Sequence, residues 1–250
     1  MAERACIMAH LVAFNPSRDA SREVARGLAE GGCAYLEMQF PFSDPTADGP
    51  DIQRACGTAL SAGFTVSEGF RLVGEIAASV AVPVFVMSYA NPVFTRGVKR
   101  FVSECRACGV KGLIVPDLPL GYDEGLFDLA SEAGIAAVPV VSPSISAERL
   151  EAIARLCPAY LYATLRIGTT GSRDGAGSAV LSFLSRIAAL NGSSRMRVLG
   201  GFGVSTAAQV QQVQALVHAV VVGSALVREI EHAKDPRAAV REKMKELTGG

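Results

Sequence analysis

Eight times along its length the chain repeats one unit, a short β-branched run followed by an amphipathic stretch of helical period. The runs fall at 7–14, 34–38, 83–87, 112–115, 135–141, 160–163, 197–199 and 217–222. The amphipathic stretches fall at 19–30, 66–79, 97–107, 123–133, 147–156, 179–190, 206–214 and 224–231, with a last one at 236–247. The runs are continuous rather than alternating, the pattern of strands covered on both faces and hence of a parallel sheet under helices. Punctuation agrees: Ser17, Ser146 and Ser205-Thr206 stand where helices begin, and Gly31-Gly32, Gly109 and Gly134 where they end. With 250 residues, no linker and no low-complexity tract, the expected fold is α/β, a closed (β/α)8 TIM barrel forming a single domain over 1–250. An open doubly wound sheet is the alternative. Against it, Phe14-Asn15-Pro16-Ser17 follows the first run, where a dinucleotide-binding fold carries a glycine-rich turn.

Charge narrows the partners. The 24 basic and 24 acidic side chains cancel and form no run of like sign, so neither a nucleic-acid nor an anionic membrane surface is expected. The apolar run at 6–14 is interrupted by His10 and is too short to span a bilayer, which points to a cytoplasmic protein. Cys105 and Cys108 make one CxxC without a second pair or a nearby histidine, and read as small buried thiols. His10, His218 and His232 are far apart in sequence, so no metal-ligand cluster is visible.

In a barrel of this kind the chemistry belongs at the C-terminal strand ends. There stand Asn15, Glu37, Tyr89, Asn91, Asp117 and Ser142, the loop from Leu165 through Arg166 to Ser172, then Gly201-Phe202-Gly203 and Gly223-Ser224. Glu37 lies inside the apolar run Tyr35-Leu36-Glu37-Met38 and faces either water or a core. A carboxylate aimed into a core is costly to ionise and could trade protons near neutral pH. Asp48 follows across a loop stiffened by Pro41 and Pro45, and two carboxylates in different environments can form an acid/base pair. The alternative is a salt-bridged strand glutamate beside turn-forming aspartates.

Gly201-Phe202-Gly203 and Val222-Gly223-Ser224 each end a strand and open a helix. Such turns let backbone N–H groups and a helix N-terminus hold a phosphate, although the same glycines could serve only the turns. Gly168-Thr169-Thr170-Gly171 adds a third glycine edge with two hydroxyls, and no lysine lies in this cradle. Lys111 stands at the start of a strand and the other lysines on helices, which disfavours a Schiff-base aldolase. Strand 6 carries Arg166 and no glutamate, against a triose-isomerase-type base. What remains is a phosphorylated substrate worked on by carboxylates.

Leu36-Glu37 followed by Pro41-Phe42-Ser43-Asp44-Pro45-Thr46-Ala47-Asp48-Gly49-Pro50-Asp51-Ile52-Gln53 resembles the signature of the tryptophan synthase alpha subunit family. The resemblance continues in order through Tyr89-Ala90-Asn91-Pro92, Pro116-Asp117-Leu118-Pro119, Gly168-Thr169-Thr170-Gly171, Gly201-Phe202-Gly203 and Gly223-Ser224-Ala225. It implies retro-aldol cleavage of indole-3-glycerol phosphate to indole and glyceraldehyde 3-phosphate. It also implies a beta-subunit partner in an α2β2 complex, with pyridoxal phosphate in that partner and no cofactor in this chain. By the resemblance Glu37 takes the catalytic acid/base position and Asp48 that of the second carboxylate. Gly171, Gly203, Gly223 and Ser224 carry over as phosphate ligands. Tyr162, Thr170, Phe202 and Tyr89 line the site, and Arg166 and Asp117 support its loops. Residues 41–45 match a partner-facing segment.

The chain departs from the family pattern at several places. Gln39 stands where glycine is usual, Phe40 where Ile or Val is common, Asn15 where Asp is usual, and Leu165 where Ser is more frequent. His10 occupies a place where an apolar or aromatic residue often borders the indole. Strand 1 begins near Cys6, leaving almost no room for the N-terminal helix that plugs the barrel floor in the family; a more open floor is the expectation. Two other readings stay open: a stand-alone lyase or isomerase on the same barrel, and a non-catalytic relative that binds a phosphate metabolite or a partner.

Overall fold

The computed structural model describes residues 5–156, 158–165, 178–190, 196–201 and 203–249. The strands are β1 (Ile7–Val12), β2 (Tyr35–Gln39), β3 (Val84–Met87), β4 (Gly112–Ile114), β5 (Ala136–Val138), β6 (Val140–Val141), β7 (Tyr160–Thr164), β8 (Arg197–Gly201) and β9 (Ala219–Val222). All their ladders are parallel, in the order β5-β4-β3-β2-β1-β9-β8-β7-β6. β5 and β6 flank Pro139 and are two halves of one barrel strand, so the nine ladder segments make an eight-strand barrel. The sequence reads 135–141 as one strand. The break follows from Pro139, which has no N–H to give to a ladder, while its carbonyl still accepts from Tyr162 N at 2.9 Å.

The helices are α1 (Arg18–Glu30), α2 (Pro50–Ser61), α3 (Val66–Ser79), α4 (Ala90–Arg96), α5 (Val98–Ala107), α6 (Leu126–Glu132), α7 (Ala147–Arg155), α8 (Ser178–Leu190), α9 (Ala207–Gln214), α10 (Ser224–His232) and α11 (Pro236–Thr248). Ser17 and Ser146 accept from the backbone N–H of Ala20 and Arg149, and Thr206 with Gln209 forms a capping box. Two helices escape the periodicity reading. α2 starts with Pro50 at its first turn directly after the Pro/Asp-rich loop, and α4 is only seven residues long. Among the described residues no helix is long and apolar enough to cross a membrane.

Strand periodicity sorts the side chains. Leu36, Met38, Ile7, Ala9 and Leu11 face the helices and join the larger apolar core. Met8, Tyr35, Phe85, Met87, Tyr89, Ile114, Val138, Tyr162, Leu199, Ala219 and Val221 form a second core inside the barrel. Glu37 shares the parity of Tyr35, so it enters the barrel and is 2% exposed.

At the floor, Tyr35, Phe85 and Tyr160 meet edge to face, with ring centroids 5.1 to 6.0 Å apart. Tyr35 Oη lies 2.8 Å from His218 Nε2, and Arg197 donates to Tyr160 Oη at 2.7 Å. Rings from the strand starts thus stand at the floor, where the sequence leads one to expect a more open end. Cys105 and Cys108 are free thiols whose pKa values burial raises, and Cys108 Sγ lies 3.2 Å from the Phe70 carbonyl; neither is activated for redox chemistry.

Candidate active site

Parallel pairing sets the first contact. β1 and β2 run in register with His10 opposite Glu37 and Val12 opposite Gln39. Two inward side chains at the same height on neighbouring strands must meet. His10 Nδ1 lies 2.8 Å from Glu37 Oε2, and both side chains are buried. With the carboxylate as acceptor, Nδ1–H donates and Nε2 is left as the other ring nitrogen. Nε2 has no hydrogen-bond partner among the described residues. Burial lowers the His10 pKa, but the charge and hydrogen bond of Glu37, and then the charge of Asp48, outweigh it and hold the group above its ordinary value.

Asp48 is brought to the same place by the loop after β2. Its Oδ2 accepts from Gln39 Nε2 at 2.8 Å and from the Tyr89 hydroxyl at 2.8 Å. The loop is fixed again by Ala47 N–H on Tyr89 Oη (3.0 Å) and by Gln53 Nε2 on the Asp48 carbonyl (2.9 Å). Burial raises the Asp48 pKa, while the nearby His10 and the bonds from Tyr89 and Gln39 pull the other way. Burial and the Asp48 carboxylate together push the Tyr89 phenol far above its usual range, so it stays a donor.

These groups open on a cavity of about 270 Å³ at the C-terminal end of the barrel. Glu37, Asp48, His10, Tyr162, Ile114, Gly203, Gly223 and Ser224 all line it, and the His10 ring stands next to Gly223. Gly203 has φ +94°, the left-handed conformation that favours glycine. Gly223 precedes the first turn of α10 with no side-chain cap on that helix end, leaving N–H groups for an anion. At the rim, Arg228 of α10 donates to Asp51 of α2 at 2.5 Å. Burial, with the charges of Glu37 and Asp48, keeps the Tyr162 phenol well above its ordinary pKa and hence protonated.

Of the residues expected at the site, Glu37, Asp48, Tyr162, Gly203, Gly223 and Ser224 come together around this cavity. Tyr89 stands behind Asp48, not among the lining residues, and its hydroxyl is spent on the loop. Asp117 accepts from Ala90 N at 2.8 Å and so caps α4, away from the cavity. Arg166, Thr170, Gly171 and Phe202 lie outside the described residues. His10 and Gln39, which the sequence marks only as departures, turn out to hold the two carboxylates. The signal for both was strand parity: counted in twos, His10 and Gln39 share the inward face with Glu37. Among the described residues no group of His, Cys, Asp and Glu could hold a metal ion.

Comparison with known proteins agrees with this geometry. The family model described as Tryptophan synthase alpha chain matches residues 1–249. A tryptophan synthase alpha chain of Thermococcus kodakarensis is 35% identical over 250 residues, covering 100% of this chain and 98% of its own. One of Prochlorococcus marinus is 37% identical over 231 residues, covering 92% and 83%. Among solved structures, a mutant tryptophan synthase alpha-subunit from Pyrococcus furiosus superposes with TM-score 0.89 at 31% identity, covering 100% of both chains. Barrel, buried strand-2 carboxylate, glycine turns and full-length likeness converge, and the chain belongs to the tryptophan synthase alpha chain family.

Proposed function

We propose that Glu37 and Asp48 carry the reaction of this alpha chain, the retro-aldol cleavage of indole-3-glycerol phosphate to indole and glyceraldehyde 3-phosphate. The observation that supports this reading is the single cavity shared by both carboxylates and by the Gly203 and Gly223-Ser224 turns. Breaking the carbon–carbon bond needs a proton on the indole ring carbon and the loss of one from the side-chain hydroxyl. Glu37, buried at the strand end, is the acid/base group. Asp48, fixed by Gln39 and Tyr89, faces the indole N–H and stabilises the positive charge that develops on the protonated ring. The phosphate sits at the glycine turns, held by N–H groups and by the N-terminus of α10. Tyr162 lines the same cavity. Gly171, Thr170, Phe202 and Arg166 complete the phosphate and loop side by family position.

The partner is the beta subunit of tryptophan synthase, and pyridoxal phosphate belongs to that subunit. An α2β2 assembly, with residues 41–45 facing the partner, and a cytoplasmic location go with this biosynthetic role. The test mixes the purified protein with indole-3-glycerol phosphate, with and without a beta subunit, and assays indole. Indole release that rises with the partner is the expected result; no indole under either condition overturns the reading.

A further inference from the structure

The cavity is poor in positive charge for a phosphorylated ligand. Three carboxylates line it, Glu37, Asp48 and Asp51, against the one guanidinium of Arg228, and no other Arg or Lys is among the described lining residues. His10 is committed to Glu37, 2.8 Å away. A phosphate monoester carries about −1.5 to −2 charge near neutral pH, whereas a helix N-terminus offers roughly +0.5. The dipole of α10 alone leaves most of that charge uncompensated.

Arg228 is placed to make up the difference. It lies on α10 one helical turn beyond Ser224, and helical residues at that spacing share a face. Side chains on a helix lean toward its N-terminus, so Arg228 reaches back over the turn that begins at Gly223. Gly203, Gly223, Ser224 and Arg228 accordingly line the same cavity. The Arg228 side chain is 47% exposed. One of its amino groups donates to Asp51 Oδ2 at 2.5 Å, and among the described residues the guanidinium makes no other hydrogen bond. Its Nε and second amino group therefore keep their N–H donors for a ligand. Asp51 does not depend on Arg228 either, because its Oδ1 accepts from Arg54 at 2.6 Å. The other acid at this rim, Glu231, pairs with Arg54 and not with Arg228.

We propose that Arg228 is a further substrate-binding residue, whose guanidinium, held at the rim by Asp51, takes the substrate phosphate together with the Gly203 and Gly223-Ser224 turns. The inference rests on the proposed function, which puts a phosphate at those turns. Arg228 contributes charge and N–H donors only: no proton moves through it and no covalent bond changes. Its effect falls on the recognition of a phosphate dianion, while bond breaking stays with Glu37 and Asp48. Because Asp51 is shared by two guanidiniums, Arg228 can turn toward the phosphate without leaving that carboxylate unpaired.

Two substitutions separate this role from that of a clasp between α2 and α10. Arg228→Gln removes the charge, whereas Asp51→Asn breaks the same ion pair and leaves the guanidinium in place. The Kd for glycerol 3-phosphate, read by calorimetry, is expected to rise about tenfold in Arg228→Gln and by no more than about twofold in Asp51→Asn. KM for indole-3-glycerol phosphate should follow the Kd, with the larger part of the loss in KM rather than in kcat. Arg228→Lys keeps the charge without the planar fork and should recover part of the loss. Affinity for indole, which carries no phosphate, should be the same in all of these proteins, as a check that the cavity survives. A parent protein that binds glycerol 3-phosphate while Arg228→Gln binds it equally well overturns this assignment alone. Equal losses in Arg228→Gln and Asp51→Asn, the mark of a clasp, overturn it too. A parent protein that neither binds glycerol 3-phosphate nor releases indole overturns the proposed function and this assignment with it.

Discussion

The two ends of the barrel are built from the same residue types and put them to opposite use. At the floor, tyrosine, histidine and arginine satisfy one another: Tyr35 with His218, and Tyr160 with Arg197, around edge-to-face rings. At the mouth, histidine, tyrosine and glutamine are turned onto two carboxylates, and polar atoms are left over. His10 Nε2, Gln39 Oε1 and Asn15 Nδ2 are the buried side-chain atoms without a partner among the described residues, and all three belong to β1, β2 or the turn after β1 at the mouth. A barrel floor is free to optimise stability, whereas its C-terminal face must keep donors and acceptors for a ligand. The position of a polar group along the barrel axis therefore says more about its role than its identity does.

The largest contrast should appear when each end loses its central residue. Glu37→Gln is expected to lower kcat for indole release by about 10²- to 10⁴-fold with little change in the unfolding midpoint. Phe85→Ala, at the floor, should cost about 3–5 kcal/mol of stability in urea unfolding while kcat per folded molecule holds. Equal losses of activity for the two variants would erase the distinction. A smaller effect tests the loop. Tyr89→Phe removes the hydroxyl that ties Asp48 to the Ala47 N–H. It should lower kcat/KM by about tenfold, the loss of roughly one charge-assisted hydrogen bond, with Glu37 chemistry otherwise intact.

The smallest contrast is in pH. The His10 pKa is raised in the folded protein, so the stability it lends is fully present below the ordinary value of 6.5 and is lost as pH rises through its folded value. The His218 pKa is lowered, by burial and then by the Arg197 charge, so its neutral form is favoured and stability falls as pH drops below 6.5. An NMR titration should find His10 changing charge above 6.5 and His218 below it. Unfolding curves of variants lacking one histidine or the other should diverge from the parent protein in opposite pH directions.

Much of this could be read before any coordinates. Continuous β-branched runs, capped amphipathic segments and paired glycine turns suffice for the barrel, and the residues singled out at its strand ends include Glu37, Asp48, Gly203 and Gly223, which line one cavity. Two classes of fact could not be read. α4, at seven residues, lacks the two or three turns over which a period can be recognised, and α2, over three turns long, opens with Pro50 straight out of a Pro/Asp-rich loop and buries a face of mostly small residues, Ile52, Ala55, Cys56 and Ala59. Pairwise contacts depend on register, which a single strand does not encode: the meeting of His10 with Glu37 requires knowing that β1 and β2 align 8 with 35 and 10 with 37. The same ignorance makes Tyr89 and Asp117 look alike at strand ends, although one braces Asp48 and the other caps a helix.

Register also decides how each carboxylate is mounted. Glu37 is bolted to the hydrogen-bonded ladder beside its histidine, so the spacing of that pair is as stiff as the sheet itself. Asp48 hangs from a loop moored by three side chains, Gln39, Tyr89 and Gln53. On the proposed roles, drift in the surrounding loops can retune where positive charge is welcomed on the ring without disturbing where protons are exchanged, which leaves substrate preference freer to evolve than the bond-breaking step.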